Sequence, residues 1–266
     1  MRDPRGPFRF ALPPSLGAAA AGTRGTRLES YLNAVLGRAT SVVVPASYEA
    51  LARELLAGRV DSAWAPPFVC ARIEAMGVRV LVRGVRNGAS TYRAALMCKK
   101  GAGLELDVLA GKRAVWADRD SVGGYLLPMA LLRSKGQDPG RIFLSQGFAG
   151  SYRAALEVVL RGDADVTSIF APAGKTSGAT GLAELWPEKK DDFEVVGFTE
   201  ESPNDGVAVA VGTPAALVTK LEQVFTALHD SDEGRGILHD TFNAERFESA
   251  PRMGYRALYR VALASL

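Results

Sequence analysis

Over residues 8–64, short apolar runs of strand length alternate with stretches whose apolar residues recur at helical spacing. This alternation limits the possible folds more than any single motif. FRFAL at 8–12 predicts a strand, and 13–25, rich in Pro, Ala and Gly, a loop. Leu28, Tyr31, Leu32, Val35 and Leu36 then fall at i, i+3, i+4, i+7 and i+8, an amphipathic helix ended by Gly37. A strand over 40–44, a helix over 48–57 closed by Gly58 and a strand over 60–64 follow. Strands joined by helices pair in parallel, so the expected class is α/β with a helix-covered sheet. Ligands of such sheets bind beyond the carboxyl ends of the strands, where Tyr48 and Trp64 fall. Trp64, just before Pro66 and Pro67, equally suits packing beneath that loop.

The same pattern continues. Residues 78–85 and 92–99 predict strands on either side of the turn RNGAST, with Tyr92 and Arg93 on opposite faces of the second. Residues 107–111 predict a helical turn, 113–117 a strand, 118–124 a loop, and Tyr125 to Lys135 a helix stopped by Gly136. Pro128 must lie near the start of that helix or kink it. A helix over 151–160, strands over 164–170, 193–198 and 207–211, a loop over 199–206, and helices over 214–228, 231–238 and 253–263 complete the reading. A chain of 266 residues has room for two lobes. Crossings near 88–92 and 202–206 divide it into 1–88 (lobe 1, first part), 92–202 (lobe 2) and 206–266 (lobe 1, second part, with C-terminal helices). Two crossings imply a hinge and an interlobe ligand cleft.

A net charge of +3, with no block of basic residues, points away from nucleic acid. No apolar run is long enough to span a bilayer. The N-terminal MRDPRGPFRFALPP lacks the apolar core of a signal peptide, so the sequence as written is expected in the cytoplasm; a missed leader would place it in the periplasm or at the membrane. Cys70 and Cys98 have no metal-ligand spacing and are expected as buried thiols, with a single bridge as the alternative. Gly174, Lys175 and Thr176 lack the glycine five positions upstream that a phosphate-binding loop requires, and predict a surface loop. His229 and His239 are the only histidines, and neither completes a nucleophile, base and orienter. No catalytic residue, cofactor or metal ligand is expected.

One stretch carries binding chemistry. RAVWADRDSVGGYLLP, from Arg113, reads as a strand, a small-residue turn and a helix start. The first N–H groups of a helix have no internal partner and carry partial positive charge, which favours an anion. Ser121 can cap the helix or donate its hydroxyl, and Gly123 and Gly124 allow close approach to the main chain. Taken alone, the stretch is equally an ordinary capped helix.

SYEALARELLAGRVDSAWAPP at Ser47, STYRAALMCKK at Ser90, LDVLAGKRAVWADRDSVGGYLLP at Leu106, FAGSYRAALEVVLRGDADV at Phe148 and ESPNDGVAV at Glu201 together resemble the phosphate/phosphite/phosphonate substrate-binding proteins of ABC transporters. The resemblance implies a two-lobed, group II periplasmic-binding-protein-like fold and a non-catalytic protein that closes on a small, anionic, phosphonate-like ligand. It implies ligand contacts from Tyr48 and Tyr92 and an anion cradle at Ser121, Val122, Gly123, Gly124 and the backbone of Tyr125. Trp64 and Tyr152 would be aromatic walls, with Asn204 a further contact. Of the family's Ser-Thr-Ser-Gly cradle only Ser121 and Gly124 match, and Tyr152 stands where the family often has histidine, so three donors to the anion are missing. The implied partners are the small-molecule ligand and an ABC permease or a regulatory protein, with the chain a monomer. A cytoplasmic enzyme on the same fold, of chorismate-dehydratase or thiamine-precursor type, and a cytoplasmic ligand sensor are the alternatives.

Overall fold

The computed structural model describes residues 6–14, 18–119, 121–174, 178 and 180–258. The chain divides into two compact units, Met1–Ser90 with Pro203–Leu266, and Thr91–Ser202. The first unit opens with β1 (Phe8–Ala11), α1 (Ala18–Leu36), β2 (Thr40–Val43), α2 (Tyr48–Leu56), β3 (Ser62–Ala65), α3 (Pro67–Ala75) and β4 (Arg79–Val85). The second contains β5 (Thr91–Lys99), β6 (Arg113–Trp116), α4 (Leu127–Ser134), α5 (Pro139–Ile142), β7 (Ser145–Phe148), α6 (Tyr152–Arg161), β8 (Thr167–Pro172), α7 (Leu182–Leu185) and β9 (Phe193–Phe198). After the two-residue strand β10 (Ser202–Pro203), the first unit is completed by β11 (Gly206–Val209), α8 (Ala215–Thr226), α9 (Asp232–Ile237) and β12 (Arg246–Ser249).

In the first unit six strands run in the order β12-β4-β11-β3-β1-β2. β1 pairs in parallel with β2 and β3, while β11 enters antiparallel between β3 and β4. The core on this sheet is aromatic: Phe225, Phe242 and Phe247 pack edge to face or tilted around Phe10 and Trp64. Such pairs add to the area they bury by meeting ring edge against ring face. Gly206 begins β11 because a Cβ there would fall 2.6 Å from both Tyr255 Oη and Val80 Cγ1.

Three expectations for this unit are corrected, and one strand, β12, had no counterpart among them. The loop over 13–25 is helical from Ala18 onward; alanine-rich sequence favours helix, and Gly25 lets it approach Val42, whose Cγ1 would be 3.3 Å from a Cβ. Residues 15–17 lie outside the described residues. Pro66 and Pro67 do not make a loop but start α3, where the missing N–H of proline costs nothing. β12 has one buried apolar side chain, Phe247, too little for a strand pattern, and is held on β4 with Arg83 Nε bonding Glu248 at 3.0 Å. The helix over 253–263 does not begin at Met253, whose φ is 55°; a single 3-10 turn spans Arg256–Leu258, and residues 259–266 lie outside the described residues.

In the second unit β5 is flanked by antiparallel β8 and β9. Its alternating side chains feed two cores: Ala95 and Met97 pack with α6, whereas Leu96 packs with Trp116 and α4. β6 and β7 pair in parallel, Arg113 to Trp116 against Ser145 to Phe148, and an isolated bridge joins Ala114 to Val166. β7 escapes a reading by pattern because SQGF has neither alternation nor β-branched residues. It is a strand because β6 supplies its partner. The start of β6 is fixed by Asp165, which accepts from the Arg113 N–H at 2.8 Å and from both Nε and Nη2 of its guanidinium. The Arg113 hydrogen bond holds the Asp165 carboxyl below the usual carboxylate range. Of the loop expected around Gly174, residues 175–177 and 179 lie outside the described residues. Among the described residues no helix is long and apolar enough to cross a membrane.

Cys70 and Cys98 are free and buried, one in each unit. Burial, then the charge of Asp205, pushes the Cys70 thiol well up; burial, then Glu194, pushes Cys98 up to about 11. Thiols raised in this way stay largely protonated at pH 8, and the thiolate is the reactive form. The folded protein is therefore expected to show no fast reaction with a disulfide-exchange reagent at pH 8, and two equivalents of thiol once denatured. Prompt labelling of the native protein would contradict this burial.

Candidate functional site

β6 and β7 end side by side, and each is followed by a serine-capped helix start. After β6, Ser121 caps a turn over Val122–Leu126 that leads into α4; its Oγ accepts from the Gly124 N–H at 3.1 Å. After β7, Ser151 Oγ accepts from the Ala154 N–H at 3.1 Å and α6 begins at Tyr152. The two connections are laced together by Ala149 N–H to Trp116 O at 2.9 Å and Gly150 N–H to Ala117 O at 2.8 Å. Loops beyond the carboxyl ends of adjacent parallel strands are where α/β proteins place ligands.

The helix after Ser121 begins earlier than its apolar pattern predicts. Val122, Gly123 and Gly124, expected in a loop with residue 120, which lies outside the described residues, form a π turn. Leu126 N–H bonds Ser121 O at 3.1 Å and Leu127 N–H bonds Val122 O, both across five residues. Pro128 follows near the start of the α segment, where its missing N–H does not break a ladder already in progress. Among the described residues, the backbone N–H groups of Val122 and Gly123 carry no hydrogen bond. They are the unpaired donors of this helix start.

Five of the expected site residues come together here. A Cβ on Gly123 would lie 2.9 Å from Tyr152 Oη and 3.4 Å from Tyr92 Cε2. Ser121 Oγ is 3.3 Å from Tyr152 Oη, and a Cβ on Gly124 would meet Ala117 Cβ and Ser121 Oγ at 2.7 Å. Tyr92 thus faces the turn, and Arg93 takes the opposite face of β5, its guanidinium 3.6 Å from the Phe198 ring centroid. The Tyr152 ring is set by an edge-to-face contact with Phe170, centroids 5.7 Å apart.

Glycine at residue 123 leaves room for the Tyr152 hydroxyl, which a Cβ there would crowd. Sequence spacing could not reveal this contact, because residues 123 and 152 meet only through the β6–β7 pairing.

Other expected residues serve elsewhere. Trp64 is 4% exposed and packed against Phe242 and Phe247, so it is a core side chain rather than an aromatic wall. Asn204 is 2% exposed, and its amide donates to Gly84 O at 3.0 Å and Ala89 O at 3.1 Å, clamping its own unit's backbone. Val122 buries its side chain and offers the site only its N–H. The Tyr125 ring turns away to Trp116 and Phe148, and its N–H is taken by Ser121 O at 3.0 Å. Tyr48 starts α2 behind its Ser47 cap, half-buried, in the first unit. Among the described residues no cluster of three or more His, Cys, Asp or Glu could hold a metal.

The fold is that of periplasmic binding proteins over nearly the whole chain. A Xanthomonas citri protein bound to ATP superposes with a TM-score of 0.79 at 18% identity, covering 97% of this chain and 96% of that one. PhnD1 from Prochlorococcus marinus, in complex with methylphosphonate, gives 0.74 at 17% identity, covering 99% and 100%. A binding protein component of an ABC phosphonate transporter from Pseudomonas aeruginosa gives 0.71 at 16%, covering 98% and 87%. The particular family is set by sequence: residues 10–255 match the model of the ABC transporter, phosphonate, periplasmic substrate-binding proteins, and the chain belongs to that family. It is a family of transporter binding proteins, not of enzymes.

The packing at the two glycines yields an expected ranking. Gly124→Ala would press a Cβ into Ala117 and the capping Ser121, and is expected to lower unfolding stability by about 1–3 kcal/mol. Gly123→Ala comes closer than 3.4 Å only to the far end of the Tyr152 side chain and should cost less. Urea denaturation of the two variants checks this, and equal stability of Gly124→Ala and wild type would contradict it.

Proposed function

We propose that this protein is the substrate-binding component of an ABC transporter for a small ligand bearing a phosphonate or closely related oxyanion. The anionic group is received by the N–H groups of Val122 and Gly123 and the hydroxyls of Ser121 and Tyr152, with the Tyr92 ring beside it. The observation that carries this reading is the juxtaposition of two unpaired helix-start N–H groups with two hydroxyls 3.3 Å apart. Four neutral donors, aided by the partial positive charge of the helix start, suit an oxyanion that must later be released. The family description supports phosphonate as the ligand class. Tyr48 as a ligand contact, closure of the two units over the ligand and docking to a membrane permease are the parts of the proposal carried by resemblance.

Calorimetric titration with methylphosphonate, phosphate, phosphite and methanesulfonate tests the reading, and silence across the panel would sink it. A hydrogen bond to a charged group contributes about 1.5–3 kcal/mol, so Tyr152→Phe is expected to weaken binding about 10- to 150-fold. Tyr92→Ala is expected to abolish the ligand-induced rise in melting temperature while shifting the unliganded melting temperature by only a few degrees. A large fall in unliganded stability would mean that Tyr92 supports the core instead.

A further inference from the structure

In the π register of Val122–Leu126, each N–H bonds the carbonyl five residues back: Leu126 to Ser121, then Leu127 to Val122. The next donor in that register would be residue 128, bonding the carbonyl of Gly123. Residue 128 is proline and has no N–H. The Gly123 carbonyl is instead met from outside the helix: Ser168 Oγ, fully buried on β8, donates to it at 2.7 Å.

The peptide unit that carries the Gly123 carbonyl also carries the Gly124 N–H, which donates to Ser121 Oγ at 3.1 Å. One peptide plane is therefore held at both ends, Ser168 on its oxygen and Ser121 on its nitrogen. It links two glycines, so no side chain resists its rotation. Hydrogen bonds in series polarise one another, and an unpaired buried carbonyl is costly. With its lone pair engaged by Gly124, the Ser121 hydroxyl donates its own proton toward Tyr152 Oη at 3.3 Å.

We propose that Ser168 is a positioning residue for the anion cradle, acting through the Gly123–Gly124 peptide on the Ser121 hydroxyl and on the turn that presents the Val122 and Gly123 N–H groups. Ser168 replaces the backbone donor that Pro128 removes. The proposal rests on the reading of this turn as the ligand's oxyanion site.

The replacement makes a compensation test possible. Ser168→Ala is expected to weaken methylphosphonate binding about tenfold, the equivalent of about 1.4 kcal/mol. Pro128→Ala should leave affinity within about twofold, because the new N–H meets a carbonyl already paired. The double variant regains an N–H one π turn after Gly123 and should return to within about threefold of wild type. Independently of any ligand, the Gly124 amide resonance in the 15N–1H spectrum should move in Ser168→Ala and move back in the double variant.

Unchanged affinity in Ser168→Ala overturns the proposal. So does a double variant whose Gly124 resonance has returned while binding has not. A wild-type protein that binds neither methylphosphonate nor inorganic phosphate overturns the functional reading, and the cradle role of Ser168 with it. In that event the Gly124 resonance still decides whether Ser168 holds the peptide.

Discussion

The parallel pairing of β6 with β7 is the contact on which the site depends. It sets the two strand ends side by side, so that one serine-capped helix start supplies backbone donors and the other supplies a phenol. Neither half is a site alone. A capped helix start is common in α/β proteins, and a tyrosine at the first position of a helix is an unremarked surface residue until something faces it. The bonds from Ala149 and Gly150 to the backbone at Trp116 and Ala117 extend the pairing past the strands and fix the distance between Ser121 and Tyr152.

Within that frame the chemistry is governed by space. Gly124 is confined by Ala117 and by its own cap, whereas Gly123 borders the Tyr152 hydroxyl and the Tyr92 ring. A side chain at residue 123 and a phenol at residue 152 compete for one volume. This chain resolves the competition with glycine at residue 123 and the phenol on α6. Pro128 and Ser168 form an exchange, in which a strand side chain stands in for a missing helix N–H.

Much of the architecture was legible from pattern. Period-2 and period-3.6 runs located β1, β2, α2, β4, β5, α6 and β9 within a few residues, because those elements bury one or both faces and must carry apolar residues at the matching spacing. Elements without such a load were missed. β7 and β12 bury little, and α3 opens with two prolines that look like a loop until the vacant N–H positions of a helix start are considered. At the site, Ser121, Gly123 and Gly124 stood out through their residue types, and Tyr92 through the family resemblance. Trp64 misled because a buried aromatic and a ligand-facing one share the same local sequence. Ser168 gave no signal at all: a serine inside an apolar strand acquires meaning only from the carbonyl opposite it.

By itself, then, the amino-acid sequence determined the α/β class, the parallel pairing of the first strands and the serine-capped helix start after β6, since each follows from local periodicity and from the backbone chemistry of glycine, serine and proline. The tertiary structure alone decided which side chains converge on that helix start. Tyr152, Tyr92 and Ser168 reach it from three different elements, and no local preference records a distance between residues that strand pairing brings together from 31 to 45 positions apart.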